Sequence, residues 1–184
     1  MNITINSSQI DKSFEDIAKS IMLNHALLVN KTELRFTELE FYYFEEKVHE
    51  DYFTHEHQCG ECEWRFHNQG LDITFGHTDK SDGGILIRGV SYVDHGKTIC
   101  VNGPRRVVAT IFSLLGKCDQ PGSISIRALN SLQSEIYKTT RHLPNTKDYF
   151  KKEGDFETFK NKPYRFVTSE AMKEIGGNLK FVKL

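Results

Sequence analysis

Ten residues constrain this chain more than any others: Leu34-Arg35-Phe36-Thr37-Glu38-Leu39-Glu40-Phe41-Tyr42-Tyr43 places carboxylates where a strand pattern asks for apolar side chains. Alternate residues of a strand share a face, so Glu38, Glu40 and Tyr42 point one way while Leu39, Phe41 and Tyr43 point the other. Unbroken alternation puts Glu40 and Tyr42 on the surface that begins with Leu34 and Phe36. A carboxylate in such an aromatic, partly apolar setting loses hydration, which raises its pKa and makes it a better proton acceptor near neutral pH. The same residues also fit the solvated face of an edge strand, on which both glutamates would simply meet water.

Other elements can be placed around this strand. Phe14, Ile17, Ala18, Ile21 and Met22 follow helical spacing after a cap at Ser13-Phe14-Glu15-Asp16. Strands are expected near 26–29, 34–43, 64–67, 71–75, 84–91, 97–101, 122–127 and 163–168. Pro104 suits a first helical position, and Val107, Val108, Ile111, Leu114 and Leu115 mark one apolar face up to Gly116, a C-cap. A further helix is expected over about 130–140, and the charged segment Lys147 to Lys162 as a surface loop. Short strands punctuated by helices, without regular βα alternation, argue for an α+β fold with one curved, mostly antiparallel sheet flanked by helices. The 184 residues fit a single domain, with residues 1–12 as a flexible start.

Charge and cysteine content narrow the setting. Met1 to Asp16 is polar, with no basic start and no apolar h-region, and nowhere is there a run of about 18 apolar residues. The expectation is a soluble, cytoplasmic monomer with no membrane partner, its Cys59, Cys62, Cys100 and Cys118 free thiols. A net charge of −1 hides an asymmetry: residues 1–92 hold 8 Lys and Arg against 16 Asp and Glu, residues 93–184 hold 16 against 9. A basic C-terminal half could meet an anionic partner such as nucleic acid, or the two halves could neutralise each other internally. Arg105 and Arg106 oppose the dipole of the helix they open unless an anion sits there, so Gly103, Arg105 and Arg106 form a candidate phosphate site; ordinary ion pairing is the alternative.

Further motifs follow the acidic strand in order. Asp51-Tyr52-Phe53-Thr54-His55 sets an acid and a histidine four apart, Trp64-Arg65-Phe66-His67 opens another strand, and Gly84-Ile85-Leu86-Ile87-Arg88-Gly89-Val90 is an apolar strand bearing a cation. This order resembles the alkyladenine (3-methyladenine) DNA glycosylase family, whose members carry an E-x-E-x-Y strand, a D-x-x-x-H turn, an aromatic-rich hairpin and a hydrophobic strand with Arg near its end. Ile17 to Val29 looks like the family's opening helix and first strand, Asn102-Gly103-Pro104-Arg105-Arg106 like its G-P-basic helix start, and Lys162-Pro163-Tyr164-Arg165-Phe166 like its closing P-x-R-F strand. The resemblance runs from about residue 13 to residue 168.

The resemblance implies a methylpurine-DNA glycosylase-like fold and a monofunctional enzyme of base excision repair. Such an enzyme flips an alkylated or deaminated purine out of DNA and hydrolyses its N-glycosidic bond with an activated water. Glu40 would be the general base and Arg88 would orient the water or Glu40. Tyr42 would stack on the base, Phe66 would supply the opposite face, and His55 would donate a hydrogen bond. No cofactor, metal or lysine nucleophile is implied. Two positions depart from the family: Gln69 falls where it inserts a tyrosine into the duplex, and Gly76 near its pocket asparagine. Where the family has a long basic loop with an R-N-x-x-M-F element, only Glu56 to Glu63 intervenes, with three acids and no cation.

A rival reading starts from His55-Glu56-His57-Gln58-Cys59-Gly60-Glu61-Cys62, with His49 and His67 nearby. Cys-x2-Cys is zinc-ligand spacing, and two histidines could complete a tetrahedral structural site. A loop of reduced thiols fits equally. A third class is a nucleic-acid or nucleoside-binding relative that keeps the fold without the reaction.

Overall fold

The computed structural model describes residues 1–130, 132–143, 156–175 and 179–184. Among the described residues, eleven strands form one sheet in which every pairing is antiparallel. In chain order they are β1 (His25–Val29), β2 (Thr32–Glu45), β3 (His49–Glu50), β4 (Glu61–His67), β5 (Gly70–Phe75), β6 (Ser81–Asp94), β7 (Lys97–Asn102), β8 (Ile124–Ala128), β9 (Ile136–Thr139), β10 (Arg165–Thr168) and β11 (Val182–Lys183). The main path runs β11-β9-β10-β2-β6-β5-β4, with β1 and β8 extending from one end of β2 and β7 from one end of β6. The described helices are α1 (Ile10–Asn24), α2 (Pro104–Leu115) and the short α3 (Phe156–Lys160) and α4 (Ser169–Met172). This is an α+β arrangement with few helices on a large sheet.

One face of the sheet carries the core. Leu39, Phe41 and Tyr43 of β2, Ile85 and Ile87 of β6, Leu71 and Ile73 of β5 and Phe166 of β10 meet the buried stripe of α1, whose Phe14 lies 4.9 Å from Phe41 between ring centroids. Val107 and Ile111 bury α2 against the same layer. Residues 1–12 are no loose start: Ile3 is 1 % exposed and joins this core with Ile10. α1 accordingly begins earlier than the cap expected at Ser13. Gln9 is its N-cap and gives no side-chain bond, while the Ser13 hydroxyl donates to the Gln9 carbonyl and accepts from the Asn6 N–H.

Two further expectations are corrected. The helix expected over 130–140 is instead β9, because Ile136 to Thr139 pair with β10 on one side and β11 on the other, and tertiary pairing overrides weak helical periodicity. Of the expected loop Lys147 to Lys162, the described part contains α3; residues 147–155 lie outside the described residues.

A β-bulge breaks the alternation of β2. Phe36 pairs with Val90, Glu38 with Gly89 and Leu39 with Ile87, so Thr37 on β2 and Arg88 on β6 are each left without a facing partner. The extra residue shifts parity. Leu34 and Phe36 therefore bury in the core with Leu39 and Phe41, not on the glutamates' surface as unbroken alternation predicts. Gly89 makes the bulge possible, since a Cβ there would lie 2.7 Å from Thr37 Oγ1 and 2.9 Å from Glu38 Cβ.

Candidate active site

On the face of the sheet opposite the core, cross-strand partners make a row: Arg65 of β4, Asp72 of β5, Leu86 of β6, Glu40 of β2 and Arg165 of β10. Glu40 is 0 % and Glu38 2 % exposed, because β2 lies in the middle of the sheet. The edge-strand reading is overturned. Burying two carboxylates is costly unless charges and donors compensate. Glu38 Oε1 accepts from Arg88 Nε at 2.6 Å and Arg165 Nε at 2.8 Å. Glu40 Oε2 accepts from the Tyr42 hydroxyl at 2.9 Å and Arg88 Nη1 at 3.4 Å, and its Oε1 accepts from the His142 backbone N–H at 2.6 Å. The setting of Glu40 is therefore a ring of donors, not the partly apolar surface expected from the strand pattern.

The electrostatics of this group are consistent with its geometry. Burial and then the charge of Glu40 raise the Tyr42 pKa well above its ordinary value, which keeps the hydroxyl protonated as a donor. Burial works to lower the Arg88 pKa, but Glu40 and Glu38 outweigh it and raise the pKa. Arg88 stays a cation beside both carboxylates.

Tyr42, Gln69, Leu86 and His142 line the junction of two connected hollows. The narrow one, about 60 Å³, runs past His55, His67 and Asp72. The wide one, about 490 Å³, is bounded by Arg88, Gly103, Arg105 and Arg106, and lies in the size range of small-molecule sites, about 300–1,000 Å³. Gly84 faces Tyr42 across the strand pair, so no side chain fills the floor beside the ring. Burial first, then Arg65 and His67, lower the His55 pKa against the pull of Asp72, which favours a neutral imidazole at the narrow hollow. At the wide hollow, Gly103 takes the positive φ of 105° that glycine tolerates, its N–H donates to the Arg88 carbonyl, and the first turn of α2 holds no acid. Arg105 Nε donates to the Asn68 carbonyl at 3.2 Å, and neither Arg105 nor Arg106 forms an ion pair among the described residues.

Of the residues singled out from sequence, Tyr42, Arg88, His55, Gln69, Gly103, Arg105 and Arg106 line these hollows, while Glu40 lines neither and is closed off behind Tyr42 and Arg88. Phe66 and Gly76 lie away from them. Phe66 pairs with Leu71 on the core-side face, is 46 % exposed, and its ring contacts Phe112 of α2 at 5.9 Å, so it cannot oppose Tyr42. Gly76 borders a separate hollow with Tyr43 and Glu61. The zinc reading is not assembled either. His57 Nδ1 accepts from the Cys59 N–H, its Nε2 lies 3.0 Å from the Gly83 carbonyl, and no group of three His, Cys, Asp or Glu able to hold an ion occurs among the described residues.

One residue was missed from sequence. Arg141 is buried and bidentate with Asp51, Nη1 to Oδ2 at 2.6 Å and Nη2 to Oδ1 at 3.1 Å, and donates to the Phe41 and Phe159 carbonyls. Its guanidinium lies 4.6 Å from the centroid of the Tyr42 ring, fixing that ring from one side. No protein-family model, curated protein or solved structure matches the chain.

Proposed function

We propose that the chain takes a purine nucleotide of DNA into this cleft and hydrolyses its N-glycosidic bond, as a methylpurine-DNA glycosylase-like domain acting on alkylated or deaminated bases. The observation that carries the proposal is the convergence of Glu40, Tyr42 and Arg88 between a narrow hollow with a glycine floor and a wide hollow rimmed by arginines. The base stacks on Tyr42, and the flanking phosphates meet Arg105, Arg106 and the free N–H groups at the start of α2. Water oxygen attacks C1′ while Glu40 takes its proton. The C1′–N bond breaks and its electron pair leaves with the base, so a cationic alkylated purine departs neutral, whereas hypoxanthine departs as its anion and takes a proton from solvent. The Glu38–Arg88 pair holds Glu40 in register and balances its charge as positive charge develops on the sugar. No lysine forms a Schiff base, so no strand cleavage accompanies release.

Replacing Glu40 with Gln keeps a side chain of the same shape and is expected to lower release of hypoxanthine or alkylated adenine from oligonucleotides by about 10² to 10⁴, with binding retained. Equal release by wild type and Glu40→Gln removes Glu40 as the base. A second reading, binding without the reaction, is favoured by the closure of Glu40. Its two oxygens already accept from His142, Tyr42 and Arg88, and water reaches it only if His142 or Tyr42 gives way. Oligonucleotides, single- or double-stranded, that bind wild type yet release no base would establish that second reading.

A further inference from the structure

The narrow hollow contains a polar pair that neither the general-base chemistry nor the phosphate contacts use. Asp72 stands in the same cross-strand row as Glu40 with only Leu86 between them, two strand spacings away, or roughly 10 Å between backbones. Its Oδ2 accepts from Arg65 Nη1 at 2.9 Å, while its Oδ1 is shielded from solvent and has no partner. His67 lies beside it. The Nδ1 of His67 accepts from the Gln69 N–H, so the neutral ring carries its proton on Nε2. That Nε2 is 3.1 Å from Asp72 Oδ2, an ion-pair distance without hydrogen-bond geometry, and it is shielded from solvent. Buried polar groups rarely remain unpaired, and since both side chains line the hollow, a small side-chain turn brings these two atoms to a ligand's own donor and acceptor.

We infer that Asp72 and His67 read the edge of the bound base, with Asp72 Oδ1 accepting from a ring-edge N–H or amino group and His67 Nε2–H donating to a neighbouring nitrogen or carbonyl oxygen. The inference rests on the nucleotide reading of the cleft and names the specificity within it. A hollow of about 60 Å³ admits the edge of a heteroaromatic ring rather than the whole ring, which leaves the ring plane at Tyr42. The ligand class is therefore a purine whose edge offers a donor beside an acceptor, as 6-aminopurines and 6-oxopurines do. Unsubstituted purine has no such donor. The row geometry explains why the reader can be remote from the chemistry: the glycosidic bond stays over Glu40 while the far edge of the base reaches toward β5.

The test is NMR titration of the full chain with 2′-deoxyadenosine, 2′-deoxyinosine and purine 2′-deoxyriboside. Wild type is expected to bind the first two about 10- to 100-fold more tightly than the third, the cost of leaving a buried carboxylate oxygen unpaired. In Asp72→Asn, Arg65 demands the amide oxygen, so the NH2 group turns toward the ligand and a donor replaces the acceptor. That variant keeps the size of the side chain, and its expected signature is loss of the preference with all three nucleosides still bound. Equal binding of the three by wild type, or a preference that survives in Asp72→Asn, overturns the assignment while leaving the nucleotide cleft standing. If wild type binds none of the three, both the assignment and the nucleotide reading fail.

Discussion

At the scale of single residues, the site depends on buried charges that are satisfied only as sets. Arg141 and Asp51 are both fully shielded, and the guanidinium that Asp51 holds is the one that backs Tyr42. Removing one member of such a pair leaves the other buried and uncompensated, at a cost of about 3–5 kcal/mol. Asp51→Asn is accordingly expected to lower the unfolding free energy by that amount, read as a lower urea midpoint at unchanged m, and a loss below about 1 kcal/mol would mean that the Phe41 and Phe159 carbonyls hold Arg141 unaided. Glu40, Tyr42 and Asp51 were legible in sequence because each sits in a short pattern with a fixed spacing. Arg141 was not, since it lies just beyond β9 in a segment without periodicity and meets its partner across 90 residues of chain. Nor could spacing show that Glu40 would be ringed by donors. Two of those donors come from elsewhere in the chain, Arg88 and the His142 backbone, and only tertiary pairing brings them there.

At the scale of elements, the bulge decides which side chains reach the cleft. The long strands β2 and β6, the strand pattern of β5 and the apolar stripes of α1 and α2 were readable as period-2 and period-3.6 runs, and each forms close to where the pattern put it. The parity shift at Thr37 was not readable, because a bulge adds one residue without any change in composition. Its clearest marker in the sequence is Gly89, whose missing side chain leaves room for Thr37 and Glu38. Gly89→Ala should therefore cost about 1–3 kcal/mol by forcing the bulge apart, and should reduce cleft binding by more than a substitution of equal cost in the core, because Arg88 next to it bonds Glu38. A stability loss with unchanged ligand binding would show that the bulge and the site are independent. β9 was read as helix for a related reason: four residues carry too little periodicity to outweigh the strands that flank them.

At the scale of the whole molecule, part of the opposed charge of the two halves is spent on each other. Arg165 of β10 meets Glu38 of β2, Arg141 meets Asp51, Lys138 of β9 meets Glu15 of α1, and Lys162 meets Asp11 of α1, so the C-terminal cations are woven through the acidic half. Internal neutralisation thus accounts for these four of the sixteen C-terminal cations. It does not account for Arg105 and Arg106, which stand exposed at a helix start with no acid in its first turn and no ion pair among the described residues. Those two cations are what the fold leaves available to an anion at the wide hollow. If phosphates occupy that place, oligonucleotide affinity falls with salt on a log–log line of about −0.9 per neutralised phosphate on duplex and −0.7 on single strands. Replacing both arginines with Ala should flatten that slope by roughly one to two units and leave the base preference of the narrow hollow intact, because phosphate contacts position the chain and base contacts specify it. A double variant that keeps the full slope, or a wild type without binding near 20 mM salt, a concentration at which phosphate contacts are only weakly screened, would remove the start of α2 as a phosphate site and leave free nucleosides as the cleft's remaining ligands.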